Sequence, residues 1–330
     1  MKAQICALLT VALAGCAQTA RTAAPPASAQ PPANATASAP TPGTAKPTPP
    51  VQATAKSAPP ATNQTAPPAA PKTQIATAAD GTKIAFEVAG SGPPLLLVHG
   101  GGQTRKSWGQ IGYVDRLSKR FTVIALDLRG FGESDRPLGR EAYALDRVIG
   151  DLLAVADAAK TPRFHLWGFG QGATIARYLA ARSDRVISAV LVGATMGPPV
   201  SGVFKEAISG MRTRWQPAID AHAAGNLEAA KLSASDRAAW DGGMGLTVFS
   251  LGAMLDYPPL EPGEIKVPTL WVIGADDSVI ENVKEYEAKL KGSNVTLKIV
   301  SSVNYSDSFI KFDQVISEVE PFLLKTAAPR

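Results

Sequence analysis

A glycine-rich pentapeptide at 168–172, Gly-Phe-Gly-Gln-Gly, lies between a predicted strand and a predicted helix. Small residues at the first and last positions of such a turn are typical of Gly-x-Ser-x-Gly sites, where the central serine is a nucleophile on a sharp bend. Here the central residue is Gly170, which has no side chain to attack with. The pattern predicts the turn of a hydrolytic site without its nucleophile.

The partners of such a nucleophile are an acid and a histidine base, in that order along the chain. Asp277 follows a predicted strand and matches the acid. No histidine follows His222, so the part of the chain after Asp277 offers no base of this kind. Asp277 then has two open roles: a hydrogen bond to Tyr305, or capping of the helix predicted from Ile280. The other histidines, His99 and His165, have structural roles in this interpretation.

Backbone amides for a developing oxyanion are the third part of a hydrolytic site. Gly101 or Gly102, after a predicted strand, and Gln171, at the start of a predicted helix, are the candidate donors. Helix N-termini also favour anions. The sequence lacks clustered metal ligands and a complete dinucleotide fingerprint, so we expect no metal or other cofactor.

Eight apolar runs predict the strands that position these residues, at 74–79, 82–88, 94–99, 121–126, 163–167, 186–192, 269–273 and 295–300. Continuous apolar runs suit a mostly parallel sheet that is buried on both faces. Helical patterns occur between them, at 141–159, 171–182, 280–291 and 309–324. Residues 197–262 interrupt this alternation with helical patterns at 203–215 and 226–232. We therefore expect an α/β fold, with a twisted sheet of about eight strands, helices on both faces and a helical cap between strands 6 and 7.

Four stretches in the same order resemble the α/β-hydrolase superfamily, in its capped form similar to esterases and epoxide hydrolases. They are His-Gly-Gly-Gly at 99–102, the loop at 127–137, the pentapeptide at 168–172 and Gly-Ala-Asp-Asp at 274–277. The resemblance covers residues 74–324. It implies that Gly170 holds the nucleophile position, Asp277 the acid position and Tyr305 the base position.

The N-terminus has the pattern of a bacterial lipoprotein signal. A positive start and a short apolar run end in Leu-Ala-Gly-Cys, which predicts a signal peptide at 1–16 and lipidation of Cys16. Residue 17 is alanine, which by resemblance to bacterial sorting rules favours the outer membrane, facing the periplasm. Residues 17–72 are rich in Ala, Pro and Thr and predict a disordered spacer. The folded domain is then 73–330.

The net charge of +5 comes from the first 72 residues, which contain no acid. The domain has equal numbers of basic and acidic residues, so we expect no nucleic-acid binding. The two cysteines, Cys6 and Cys16, both lie in the signal, so the domain has none for a disulfide.

These observations predict a membrane-anchored protein that is catalytically inactive and has a binding or scaffolding role. We expect a pocket under the cap, lined by Gly170, Tyr305, Trp167 and Trp215, that takes a small apolar or ester-like ligand. A protein partner is also compatible. Two alternatives stay open: a hydrolase of esters or lactones with a non-standard site, and a purely structural envelope protein.

Overall fold

A computed structural model describes residues 71–327, which form a single sheet flanked by helices. The predicted signal at 1–16, the lipidation site Cys16 and the predicted spacer up to residue 70 lie outside the described residues. The eight strands are β1 (Gln74–Thr77), β2 (Lys83–Ala89), β3 (Pro94–Val98), β4 (Thr122–Leu126), β5 (Phe164–Phe169), β6 (Val186–Val192), β7 (Thr269–Gly274) and β8 (Val295–Val300).

The strand order is β1-β2-β4-β3-β5-β6-β7-β8. β1 pairs antiparallel with β2, and β2 pairs antiparallel with β4, while every other neighbouring pair is parallel. The predicted eight-stranded, mostly parallel sheet is thus confirmed. All residues of β5 and β7 are buried, as their uninterrupted apolar sequences predict.

Helices cover the sheet between the strands. Outside the β6–β7 connection, the α-helices are Arg105–Ile111, Tyr113–Leu117, Leu145–Ala158, Gln171–Arg182, Ile280–Tyr286, Asp307–Ile310 and Phe312–Ala327, with 3₁₀ turns at Arg140–Tyr143 and Glu287–Leu290. The first two helices were not predicted. They are short and are separated by Gly112, whose φ of 101° ends one helix and begins the next. No described helix is both long and apolar enough to cross a membrane.

The connection from β6 to β7 is helical, as predicted for the cap. It contains Gly202–Ala223, Ala234–Ala239 and Gly245–Ala253, a π-helical turn at Trp240–Met244 and 3₁₀ turns at Leu227–Ala230, Met254–Asp256 and Pro262–Glu264. Asp256 accepts hydrogen bonds from Arg212 in the first cap helix and from Arg140 outside the cap. Tyr257 donates to the carbonyl oxygen of Tyr143 at 2.9 Å. Contacts of this kind hold the cap segment against the core.

Buried ion pairs fix the loop after β4. The Asp127 carboxylate accepts from the backbone N–H groups of Arg105 (2.7 Å) and Glu133 (2.8 Å) and forms an ion pair with the Arg105 guanidinium. Arg129 binds both carboxylate oxygens of Asp151, each at 2.6 Å. The loop therefore has a structural role at the carboxyl ends of β3, β4 and β5, where α/β sheets usually carry their sites.

Candidate active site

The turn between β5 and the following helix has an unusual backbone at Gly170. Its φ of 52° and ψ of −115° lie where residues with a side chain are strained. Gly170 donates its N–H to Val192 O, and its carbonyl accepts from Thr174 N, both at 2.9 Å. These bonds hold the turn in the sharp shape that presents a nucleophile in Gly-x-Ser-x-Gly sites.

The glycines on either side of this turn are required by close packing. A Cβ on Gly172 would collide with the carbonyl oxygens of Val98 and His99, and a Cβ on Gly168 would collide with the backbone of Ala173. The helix therefore begins in direct contact with the end of β3. The scaffold of the elbow is complete, although its central side chain is absent.

Tyr305 fills the place that a side chain at position 170 would take. A Cβ built on Gly170 would overlap the Tyr305 hydroxyl oxygen. The Tyr305 ring packs against Phe169, with ring centroids 5.1 Å apart, and against Phe204 of the cap at 6.3 Å. Tyr305 thus extends from the predicted base position into the predicted nucleophile position.

The backbone around Tyr305 is held by several hydrogen bonds. Its carbonyl oxygen accepts from Ser308 Oγ at 2.6 Å, and the neighbouring Asn304 side chain accepts from Asp307 N at 2.9 Å. Burial raises the pKa of the Tyr305 phenol, and the nearby Asp277 carboxylate raises it further. The phenol therefore stays protonated at neutral pH and does not serve as a proton acceptor.

Asp277 is 2% exposed and only half of its carboxylate is paired. Oδ1 accepts from Val279 N at 3.0 Å, one residue before the helix Ile280–Tyr286, and the N-terminus of that helix has no side-chain cap. Oδ2 is buried without a hydrogen-bond partner among the described residues, so Asp277 does not bond to Tyr305. A histidine at position 305 would offer ring N–H groups to this oxygen. The only side-chain donor of Tyr305 is the hydroxyl at the far tip of its ring. Burial raises the pKa of Asp277 to about 6.

The predicted oxyanion donors lie beside side chains of the elbow helix and the cap. Gln171 begins the helix, so its backbone N–H has no intrahelical acceptor. Its side-chain Nε2 donates to Ser250 Oγ of the cap at 2.8 Å. Gln171 Oε1 and Leu251 Cδ2 lie 3.2 and 3.3 Å from where a Cβ on Gly101 would be. Gly102 follows with a φ of 76°. The Gln171 and Leu251 side chains therefore lie close to one side of this loop, while Gly101 and Gly102 stay partly exposed.

The three histidines lie away from the elbow tip or are fixed in the core. His99 is fully buried, with Nδ1 2.8 Å from Gly100 O and Nε2 accepting from Leu128 N at 3.0 Å. His165 Nδ1 lies 2.8 Å from Ser188 Oγ, but this pair is buried at the start of β5 and β6, the opposite end from Gly170. Burial lowers the pKa of His165 to about 4. His222 packs on cap aromatic residues.

A small cavity adjoins the elbow, with a volume of about 30 Å³. Typical ligand sites measure roughly 300–1,000 Å³, so this one has room for about two water molecules. Its walls include Gly170, Gln171, Thr195, Phe204, Met254, Val279 and Tyr305. Residues 71–327 contain no cluster of His, Cys, Asp and Glu suited to a metal ion.

Two of the predicted pocket residues lie elsewhere. Trp167 packs against Trp108 and Tyr113 in the core, with ring centroids 5.6 and 5.2 Å apart. Trp215 packs against Trp240 inside the cap. Trp167 precedes the elbow by three residues in a strand whose side chains alternate between the two faces of the sheet, so nearness in sequence did not place it in the pocket.

Known proteins with similar sequences and structures support the fold described above. Residues 93–235 match a family model described as the alpha/beta hydrolase fold. The structure of a thermophilic esterase from Thermogutta terrifontis superimposes with a TM-score of 0.60 over 78% of this chain and 100% of that one, at 23% identity. The described part of the chain therefore has the α/β-hydrolase fold.

Proteins of similar sequence match this chain over a limited stretch. A protein of Mycobacterium tuberculosis is 38% identical over 130 residues, which is 38% of this chain and 37% of the relative. Epoxide hydrolase 3 of Siraitia grosvenorii is 35% identical over 109 residues, 32% of this chain and 34% of the relative. The chain thus spans only about a third of the length of these relatives.

Three residues that close the cleft were not found from the sequence. Phe204, Ser250 and Leu251 come from the cap, and the helix Gly245–Ala253 that carries two of them was not predicted. Nearly all of its residues are buried, so it lacks the polar face that marks an amphipathic helix. The signal that was present is the apolar composition of residues 244–254.

Proposed function

We propose that this α/β-hydrolase homologue is non-catalytic and has a binding or scaffolding role at the bacterial envelope. The observation that carries the proposal is the Tyr305 hydroxyl, which lies where a nucleophile on position 170 would begin. Hydrolysis by the fold's usual route needs a nucleophile at that point and a base beside it. Gly170 supplies no nucleophile, and a protonated phenol supplies no base.

The size of the expected loss supports this proposal. Removing triad members from a working hydrolase typically lowers turnover by about a million-fold, which leaves roughly 10³–10⁴ over water from the oxyanion hole and binding. Here the Gln171 and Leu251 side chains also lie close to Gly101, which leaves less room beside that loop for a substrate carbonyl. We therefore expect no hydrolysis above the rate in buffer.

The proposal includes a membrane anchor. Processing at Cys16 would leave an acylated N-terminal residue, and two or more acyl chains anchor a protein stably where one chain does so marginally. Residues 17–72 would then hold the domain away from the outer membrane on its periplasmic side. The Ala- and Pro-rich composition of this segment favours an extended spacer.

A purely structural role is a second candidate, and the cavity of about 30 Å³ favours it. In that case the filled cleft serves stability alone, and a partner would bind the outer surface. Ligand binding at the cleft distinguishes the two roles.

The full chain in detergent should be assayed with p-nitrophenyl esters, a lactone and an aromatic epoxide. The matched variant is Gly170→Ser/Tyr305→His. It introduces a serine hydroxyl and an imidazole, which together with the existing Asp277 complete the set of three side chains. We expect no turnover by the unaltered chain and slight ester hydrolysis by the variant. Turnover by the unaltered chain that is lost in Asp277→Asn would overturn the non-catalytic role.

A further inference from the structure

Two buried oxygen atoms at the elbow have no hydrogen-bond partner among residues 71–327. They are Asp277 Oδ2 and Gln171 Oε1, on residues that are 2% and 7% exposed. Both atoms accept hydrogen bonds, and native structures leave few buried polar atoms unpaired. The region beside Gly170 is therefore rich in acceptors.

Positive charge is absent from the wall of the adjoining cavity. The described residues that line it include no Lys, Arg or His. Arg177, a fully buried cation in the elbow helix, donates instead to the carbonyl oxygens of Thr195 (2.5 Å) and Gly197 (3.3 Å). Ser278 and Val279, which follow Asp277 directly, are part of the wall. The side chains around the cavity therefore favour a hydrogen-bond donor or a cation over an anion.

The Tyr305 side chain lines the cavity, whose wall also includes Ser278 and Val279 next to Asp277. Among the described residues its hydroxyl has no hydrogen-bond partner, and its ring is held by packing on Phe169 and Phe204. The ring is partly exposed, whereas the backbone is fixed by Ser308. Rotation about the side-chain bonds would move the ring without moving the loop.

We propose that this cleft binds a small aromatic amine, whose ring replaces that of Tyr305 between Phe169 and Phe204 and whose ammonium group donates to Asp277 Oδ2. The inference rests on the proposed non-catalytic role and names the ligand class of the same site. The amine pairs the bare carboxylate oxygen, while its ring restores the aromatic packing that Tyr305 gives up. An aromatic carboxylate of the same size would place its charge near that of Asp277, with no cationic side chain on the described cavity wall to offset it.

The test is calorimetric titration of the full chain in detergent with benzylamine, benzyl alcohol and benzoate, which share one ring. We expect benzylamine to bind at least about tenfold more tightly than benzoate, because one hydrogen bond to a charged group is worth about that factor. Asp277→Asn should weaken benzylamine binding about tenfold and leave benzyl alcohol nearly unchanged. Asp276→Asn, an exposed neighbouring acid, is the matched control and should change neither.

Tyr305→Ala should strengthen benzylamine binding, because the ligand no longer displaces a ring. Thermal unfolding by circular dichroism shows whether this variant is folded, and if it is not, the comparison of Asp277→Asn with Asp276→Asn decides. Equal binding of benzoate and benzylamine, no binding of benzylamine, or an unchanged affinity in Asp277→Asn would overturn the inference. Ester turnover would instead overturn the non-catalytic role, so the two failures are distinguishable.

Discussion

The contact between Tyr305 and Gly170 predicts that the two positions are energetically coupled. Gly170→Ser places a Cβ where the Tyr305 hydroxyl lies and forces a side chain onto a φ of 52°. Tyr305→His shortens the opposing side chain and offers an N–H group to the bare Asp277 oxygen. The overlap between the Cβ of residue 170 and the Tyr305 hydroxyl is therefore present in Gly170→Ser and is relieved in the double variant.

The expected change in the free energy of unfolding has two contributions, backbone strain and overpacking. Backbone strain at a non-glycine residue in this region costs about 1–3 kcal/mol, and overpacking costs about 1–3 kcal/mol more. Gly170→Ser alone should therefore lower the free energy of unfolding by about 2–6 kcal/mol. In the double variant the overpacking part disappears, so the coupling energy should be about 1–3 kcal/mol and favourable.

The unaltered chain, the two single variants and the double variant form a double-mutant cycle. Guanidinium denaturation of these four proteins, monitored by tryptophan fluorescence, gives the coupling energy. Gly210→Ser combined with Tyr305→His is the control, because Gly210 is an exposed helical glycine with no neighbour near its Cβ position. That pair should be additive within about 0.5 kcal/mol. If Gly170→Ser and Tyr305→His are additive to the same degree, Tyr305 does not occupy the elbow.

Two further predictions rest on the same geometry, and a third rests on the N-terminal sequence. Burial raises the pKa of Asp277 from 3.8 to about 6, so the native state retains this proton longer than the unfolded state. Stability should therefore fall as pH rises from about 4 to above 6, by about 3 kcal/mol. Asp277→Asn should remove that slope in urea denaturation at a series of pH values. Gly172→Ala should destabilise by about 1–3 kcal/mol or more through its backbone collision, whereas the helical control Gly210→Ala should stabilise by about 0.5–1 kcal/mol in thermal denaturation. Cys16→Ala should move the protein from the membrane to the soluble fraction, and retention in the membrane fraction would contradict the lipid anchor.

Most of the sheet could be predicted because its strands are buried on both faces. The runs at 94–99, 186–192 and 269–273 differ from the observed strands by at most one residue. β1 ends two residues early, at Thr77, because Ala78 exchanges backbone hydrogen bonds with Gly81 and Thr82 in a turn. The Arg105–Leu117 region was missed because Gly112 interrupts its helical periodicity.

The chemical character of the site followed from residue identity, but its shape did not. Gly170 has no side chain whatever its surroundings, so the lack of a nucleophile there is a property of the sequence. That Tyr305 reaches the elbow depends on the path of its loop, in which Asn304 turns outward to cap the next helix. Closure by Leu251 depends on how the cap packs, which local sequence patterns do not specify.

The most direct test of the central claim is intact-mass spectrometry of the full chain after incubation with an activated acyl ester and, separately, with an aromatic epoxide. A nucleophile in the cleft would form a covalent adduct even if turnover were slow. We predict an unchanged mass for the unaltered chain and a single acyl adduct, on the introduced serine, for Gly170→Ser/Tyr305→His. An adduct on any cleft residue of the unaltered chain would contradict the account.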